Sequence, residues 1–304
     1  MEELDELKNM ELNDCDAGIK AVTKDNDCLI DKEKYIMYLS TVSAGTIKTL
    51  AEALKCVIAE VNMYIDKNCL KIISMDPAKV LVVHLMLDSA KFEQYYCESL
   101  PENPLKLGIN MIAFYSLLKS VGTNDTSTMY VERNSPDRIG LLMENKKNSL
   151  RNEISLRLLE LNDKSIKVPK IAFDSIITLA SPNFQKYCRD LSVISENVII
   201  KSENVEEIGN VFSMTANGDF ASQKIELSES GGDSQNSGGL LLSKTTNTAE
   251  GKFSLKNLNL ICKSCNLGPS LEIFIKNGYP LIIVFSVANL GTLKFGLAPL
   301  VNTT

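Results

Sequence analysis

Lys119 and Lys263, 144 residues apart, close two helical stretches in the same way. Leu118-Lys119-Ser120 and Cys262-Lys263-Ser264 each end an amphipathic run, and each is followed by a polar turn and a strand-like run, residues 128–132 and 271–275. Self-similarity at a fixed offset constrains a fold more than composition does, because each copy must be one supersecondary unit that packs against its twin. The pattern predicts two copies of one helix-and-sheet domain.

Four helices follow from the apolar spacing. One opens near position 46, with Ile47, Leu50, Ala51, Leu54, Val57, Ile58 and Val61 on one face and Lys48, Glu52 and Lys55 on the other. A second begins near Asn110, with Met111, Phe114, Leu118 and Val121 inward and Lys119 outward. The third is Phe184-Gln185-Lys186-Tyr187-Cys188-Arg189-Asp190-Leu191-Ser192, with Phe184, Tyr187, Cys188 and Leu191 as its core stripe and Lys186 and Arg189 opposite. The fourth runs from Ser254, with Leu255, Leu258, Cys262 and Cys265 inward and Lys256 and Lys263 outward. Strand-like runs lie at residues 70–74, 80–87, 128–132, 198–201, 211–215, 271–275 and 281–287.

All four helices carry lysine or arginine on the polar face, in a chain whose formal net charge is −6. Cations gathered on helix faces of an acidic chain point to a polyanion, and nucleic acid is the leading candidate. The negative charge is concentrated elsewhere. Residues 1–33 hold eleven Asp or Glu and four Lys, a net of −7, which leaves +1 for residues 34–304. The acidic segment lacks sustained periodicity and reads as an extension outside the globular body.

Catalytic chemistry finds little support. The one histidine, His84, sits inside the apolar run Val80-Leu81-Val82-Val83-His84-Leu85-Met86-Leu87, where a structural role is expected. Cys262-Lys263-Ser264-Cys265 has metal-like spacing but no second pair, and both thiols fall on an apolar stripe. Gly238-Gly239 is not followed by Gly-Lys-Ser/Thr, so no phosphate-binding loop is present. The eight scattered cysteines read as reduced, buried thiols of an intracellular protein. Met1-Glu2-Glu3-Leu4-Asp5-Glu6 lacks the pattern of a secretory signal, and no apolar run reaches the length of a membrane span. The expectation is a non-enzymatic protein with no cofactor, no metal and no membrane partner.

Between the two copies, Leu156-Arg157-Leu158-Leu159-Glu160-Leu161 alternates like a strand, and Asn162-Asp163-Lys164-Ser165-Ile166-Lys167-Val168-Pro169-Lys170 is a polar connector whose Val-Pro step favours extended backbone. The domains are therefore expected at 34–155 and 172–301, with an N-terminal extension at 1–33, a crossover and connector at 156–171 and a short tail at 302–304. The Gly/Ser segment 228–239 reads as a surface loop in the second copy.

Over residues 38–301 these features resemble the sliding clamps of the proliferating cell nuclear antigen family. The resemblance is carried by Ser74-Met75-Asp76 before an apolar strand, Leu107-Gly108-Ile109-Asn110 opening a helix, the 184–192 helix, and Ala288-Asn289-Leu290-Gly291-Thr292-Leu293-Lys294-Phe295-Gly296-Leu297-Ala298-Pro299. It implies an α+β DNA-clamp fold, two similar domains each with two helices packed on antiparallel sheets, and a ring-forming head-to-tail trimer. The implied function is that of a DNA polymerase processivity factor that encircles duplex DNA and tethers replication and repair proteins.

The resemblance assigns DNA contact to Lys48, Lys55, Lys119, Lys186, Arg189, Lys256 and Lys263, while Thr49, Ser116 and Val193 stand where relatives often have a basic residue or histidine. It assigns a hydrophobic client pocket to Met75, Val80, Val82, Ile166, Val168, Pro169, Pro280, Ala298 and Pro299, with Lys167 and Gly296 departing from the usual pattern. Clients would be a DNA polymerase and other proteins with a short glutamine, aliphatic and aromatic motif. A clamp loader and further copies of the chain complete the implied partners. Subunits would meet through edge strands around 151–158 and 220–227. The implied location is the nucleus or, if viral, an intracellular replication site. Two alternatives stay open at this point: a subunit of a heterotrimeric checkpoint-type clamp, and a non-ring polymerase accessory factor.

Overall fold

The computed structural model describes residues 30–119, 121–122, 125–145, 149–162, 166, 171–206, 208–228 and 240–300. The acidic extension up to residue 29, most of the Gly/Ser segment, Val168, Pro169 and the 302–304 tail lie outside the described residues. The first half contributes β1 (Tyr35–Thr41), α1 (Ala44–Lys55), β2 (Glu60–Ile65), β3 (Cys69–Met75), β4 (Leu81–Asp88), β5 (Gln94–Cys97), β6 (Leu105–Asn110), α2 (Met111–Leu118), β7 (Thr126–Glu132), β8 (Arg138–Asn145) and β9 (Leu150–Arg157). The second contributes β10 (Ser175–Ala180), α3 (Ser181–Ser192), β11 (Asn197–Val205), β12 (Gly209–Asn217), β13 (Ser222–Ser228), β14 (Leu240–Thr245), β15 (Ala249–Ser254), α4 (Leu255–Ile261), β16 (Ser270–Ile275), β17 (Leu281–Val287) and β18 (Gly291–Leu297). The order of strands and helices is the same in both halves, as the repeat predicts.

Three sheets result, in the orders β5-β1-β7-β8-β9, β13-β12-β11-β15 and β14-β10-β16-β17-β18-β4-β3-β2-β6. The nine-stranded sheet is a five-stranded sheet of the second half joined to a four-stranded sheet of the first. The joint is the antiparallel pair β18–β4, running from Gly291 opposite Leu87 to Leu297 opposite Leu81. Alternation along both strands turns Leu293, Phe295 and Leu297, with Leu81, Val83 and Leu85, into one core that spans the halves.

The helices lie on the core side of these sheets. Ile47, Leu50, Ala51 and Leu54 of α1 are buried, as are Phe184, Cys188 and Leu191 of α3. α1 packs on α2 and α3 on α4, and α1 also packs on the 3-10 turn Cys262–Leu267 of the other half, so helices of both halves share one layer. Asn110 caps α2, its side-chain oxygen accepting from the Ala113 amide at 2.9 Å.

Two helices differ from the sequence reading. α1 ends at Lys55, where the Val57 and Ile58 amides both bond to the Leu54 carbonyl, at 3.0 and 2.9 Å. Val61 belongs to β2, opposite Ile109. All three fit the helical apolar period, but Val57 and Ile58 fall between the helix and β2, and for the β-branched Val61 pairing with β6 decides the outcome. The fourth helix starts one residue after Ser254, and its end tightens into the 3-10 turn, so Cys262 and Cys265 are buried by that turn and not by a continued α-helix.

The joint has a steric requirement. A Cβ at Gly291 would fall 2.0 Å from the Met86 carbonyl oxygen, a backbone atom of β4 that cannot swing away. Gly291→Ala is therefore expected to cost about 3 kcal/mol through forced separation of the two strands. Calorimetry should show a melting temperature lower by roughly 5 °C or more, and an unchanged value would show that the halves are not held together at this ladder.

Candidate functional site

The predicted cations all lie on the helical layer, but they are not equivalent. Lys48 of α1 is half-buried, and its Nζ donates to the Lys119 and Val121 carbonyls at 2.7 and 3.0 Å. Those carbonyls close the C-terminal end of α2, where a positive charge is favoured by the helix dipole. Lys55 is also half-buried, with Nζ 3.4 Å from the centroid of the Tyr115 ring, and Lys119 Nζ approaches the same ring at 5.8 Å. Lys119, Lys186, Arg189, Lys256 and Lys263 are exposed, and no ion pair among the described residues engages them. Four of those five belong to the second half.

The uncharged positions are equally specific. Thr49 and Ser116 turn their hydroxyls back to the Gly45 and Ile112 carbonyls at 3.0 and 2.9 Å. Val193, at the C-terminal cap of α3, is 85% exposed, and Ile112 of α2 is 55% exposed. Among the described residues the layer thus presents cations interspersed with neutral and apolar groups and no dense basic stripe.

The other face of the nine-stranded sheet carries an apolar row at one end. Met75 lies opposite Val82, Val82 opposite Gly296, Gly296 opposite Ile282, Ile282 opposite Phe274, and Phe274 opposite Ile176. Six strands from both halves supply it. Gly296 leaves a shallow gap: a Cβ there would sit 3.3 Å from Ile282 Cδ1 and 3.8 Å from Val82 Cβ. At one end of the row the β3–β4 turn is organised by Asp76, whose Oδ1 accepts from the Val80 and Leu81 amides at 2.8 and 2.7 Å.

Of the predicted pocket residues, Met75 and Val82 are in the row. Val80 lies beside it, its carbonyl accepting from the Ala298 amide at 2.9 Å. Ala298, Pro299 and Ile166 are half-buried and Pro280 is exposed. Ile282, Phe274 and Ile176 were not anticipated from the sequence, because their neighbours across the strands come from distant parts of the chain.

The crossover begins beside β6. The Leu159 amide bonds to the Gly108 carbonyl at 2.8 Å, and Asn62 Nδ2 reaches the Leu161 carbonyl at 3.5 Å. The segment that leads to the connector is therefore tied to the edge of the same nine-stranded sheet.

Cys188, Cys262 and Cys265 meet beneath the helical layer, all buried. The Cys262 thiol is pushed up first by its hydrogen bond to Cys188, then by burial, and Cys265 by its bond to Cys262 and by burial. Such thiols stay protonated and pack as small apolar groups. Among the described residues no cluster of three or more His, Cys, Asp or Glu is placed to hold a metal ion.

Known proteins share this organisation. The family model for the proliferating cell nuclear antigen N-terminal domain matches residues 37–166, and that for the C-terminal domain matches residues 167–300. A probable DNA polymerase sliding clamp 1 of Paramecium bursaria Chlorella virus 1 is 35% identical over 274 residues, covering 90% of this chain and all of that protein. The proliferating cell nuclear antigen of Dictyostelium discoideum is 26% identical over 258 residues, covering 85% of this chain and 96% of its own length. The chain belongs to the proliferating cell nuclear antigen family, whose members are clamps and not enzymes.

Proposed function

We infer that this chain is a sliding clamp that gives a DNA polymerase its processivity. The observation that carries the DNA side is the helical layer, where Lys119, Lys186, Arg189, Lys256 and Lys263 extend into solvent without ion pairs among the described residues. Lysine and arginine attract phosphates over long range and without regard to sequence, so a surface of this kind permits sliding. Lys48 and Lys55 contribute differently. Lys48 chiefly closes α2, and Lys55 lies over Tyr115; both add positive potential from half-buried positions.

The reading includes a head-to-tail ring of three copies, with the helical layer lining the hole and the sheets outside. β9 and β13, the segments assigned to subunit contact, each end a sheet. An unpaired edge is a liability that closure into a ring removes. Client proteins, the polymerase among them, would dock on the outer apolar row, with aromatic side chains over Met75, Val82 and the gap at Gly296. The family's usual aromatic at that position is absent, so the accepted aromatic pair should sit deeper, against Ile282. Such a protein works where DNA is replicated, in a nucleus or at a viral replication site.

Replacing Lys186, Arg189, Lys256 and Lys263 together by Ala should weaken retention on duplex DNA. The slope of log affinity against log salt should fall by about 0.9 for each phosphate that is no longer neutralised. Lys48→Met should instead lower stability by about 1 kcal/mol with little change in that slope. Equal DNA retention by the fourfold variant and the parent would remove the helical layer from the DNA path.

The client site is tested with a peptide carrying glutamine, an aliphatic residue and two adjacent aromatics. Calorimetry should give about micromolar affinity, near −8 kcal/mol, and Val82→Asp should abolish it by putting a desolvated carboxylate under the rings. Undiminished binding by that variant places the client site elsewhere.

A further inference from the structure

The repeat determines how β9 and β13 should meet, and it does so through the joint the chain already makes with itself. β7 starts 144 residues before β16, so Met129 corresponds to Ile273. Their partners across the ladder are Leu141 and Ile283, and the next partners are Ile154 and Phe295. β9 is therefore the counterpart of β18. In the same way β2 starts 137 residues before β11, so Met63 corresponds to Ile200. The chain of partners runs through Ile72 and Met214 to Leu85 and Ile225, and β13 is the counterpart of β4. β18 and β4 form the internal joint. Their counterparts pair with no strand beyond β8 and β12 among the described residues.

In the internal joint Leu293 faces Leu85 and Phe295 faces Val83. Carried onto the counterparts, this register sets Asn152 opposite Ile225 and Ile154 opposite Gln223. The alternate residues then fall Arg151 opposite Glu226 and Glu153 opposite Lys224. In the ring read above β9 of one copy meets β13 of the next; we propose that this register of the two strands is selected by the reciprocal ion pairs Arg151–Glu226 and Glu153–Lys224. The proposal rests on the ring reading above and names its partner: the edges are complementary to each other, so the neighbour is another copy of this chain.

Charge and pleat reach the same register independently. Ile154 and Leu156 of β9, and Ile225 and Leu227 of β13, point toward the core side of their sheets. A slip of one residue would turn one of these apolar sets outward. A slip of two would set Arg151 against Lys224 in one direction, or Glu153 against Glu226 in the other. A parallel arrangement satisfies at most one of the two ion pairs.

The charges are already in place on the isolated chain. Arg151 Nη2 lies 3.8 Å from Glu153 Oε2, Lys224 pairs with Glu226, and these four side chains are roughly half exposed or more. Tyr130 donates its hydroxyl to Glu153, and its ring occupies the space that a Cβ at Gly140 would fill, 2.2 Å from the ring.

The internal joint is built from other residue types. At the matching places Thr292 faces Met86 and Lys294 faces His84. A joint inside one chain is kept by chain connectivity. A joint between chains has to be chosen over wrong partners and wrong registers, which opposed charges accomplish by making the alternatives repulsive.

Sedimentation of the full-length parent, Arg151→Glu, Glu226→Arg and the double variant tests this. Each single reversal should raise the dissociation constant of the assembly about tenfold or more, and the double variant should return to within about threefold of the parent. The pair Glu153→Lys and Lys224→Glu should behave alike as a second, independent cycle. A parent that stays monomeric at micromolar concentration would overturn both the ring and the register. A parent that assembles, with singles unaffected or doubles no better than singles, would overturn the register alone.

Discussion

The seven-residue ladder between β18 and β4 is the interaction on which the rest of the molecule depends. It joins a sheet of one half to a sheet of the other, side chains inward and outward in phase, so that one core passes beneath both. Helices of the two halves then share a layer, and six strands of different origin supply the outer apolar row. The same ladder leaves β9 and β13, the counterparts of its own two strands, at the ends of their sheets. On the ring reading, one kind of joint, used once within the chain and again between chains, would generate a closed ring from a two-domain repeat.

Electrostatics in this chain is a matter of placement more than of total. The net charge of −6 coexists with a body near neutrality, because the first 33 residues hold a net of −7. On the helical layer some cations serve the fold and others remain available. Lys48 stabilises the end of α2, while Lys186, Arg189, Lys256 and Lys263 are exposed and enter no ion pair among the described residues. On the proposed function, a DNA path lined this way would attract phosphate evenly and weakly, favouring movement along the duplex over a fixed grip.

Much of this was legible in the sequence because helices and repeats leave local signals. The 3.6-residue spacing of Phe184, Cys188 and Leu191 located α3, the spacing of Met111, Phe114 and Leu118 placed the start of α2 near Asn110, and the 144-residue offset revealed the two halves. Strand 281–287 was read with its observed bounds. Less was legible where structure is decided by distant partners. Val61 fits a helix by period and a strand by pairing, and only β6 settles it. The short strands β5 and β14 and the alternating polar β15 carry little signal of their own. The outer row was half visible, since Met75 and Val82 were anticipated while Ile282, Phe274 and Ile176 depend on register across two halves. Lys48 looked like its exposed neighbours because a carbonyl partner 71 residues away leaves no trace in local sequence.

The central claim is that the chain encloses DNA, and topology tests it without a loader or polymerase. Linear duplex can be threaded by a ring at its ends, whereas a surface binder needs no end. Retention on duplex should therefore be measured in high salt, where phosphate attraction is screened, with both ends capped by bulky blocks either before or after the protein is added. The account predicts retention when the blocks are added afterwards and none when they are added first. Equal retention in the two orders of addition would contradict it.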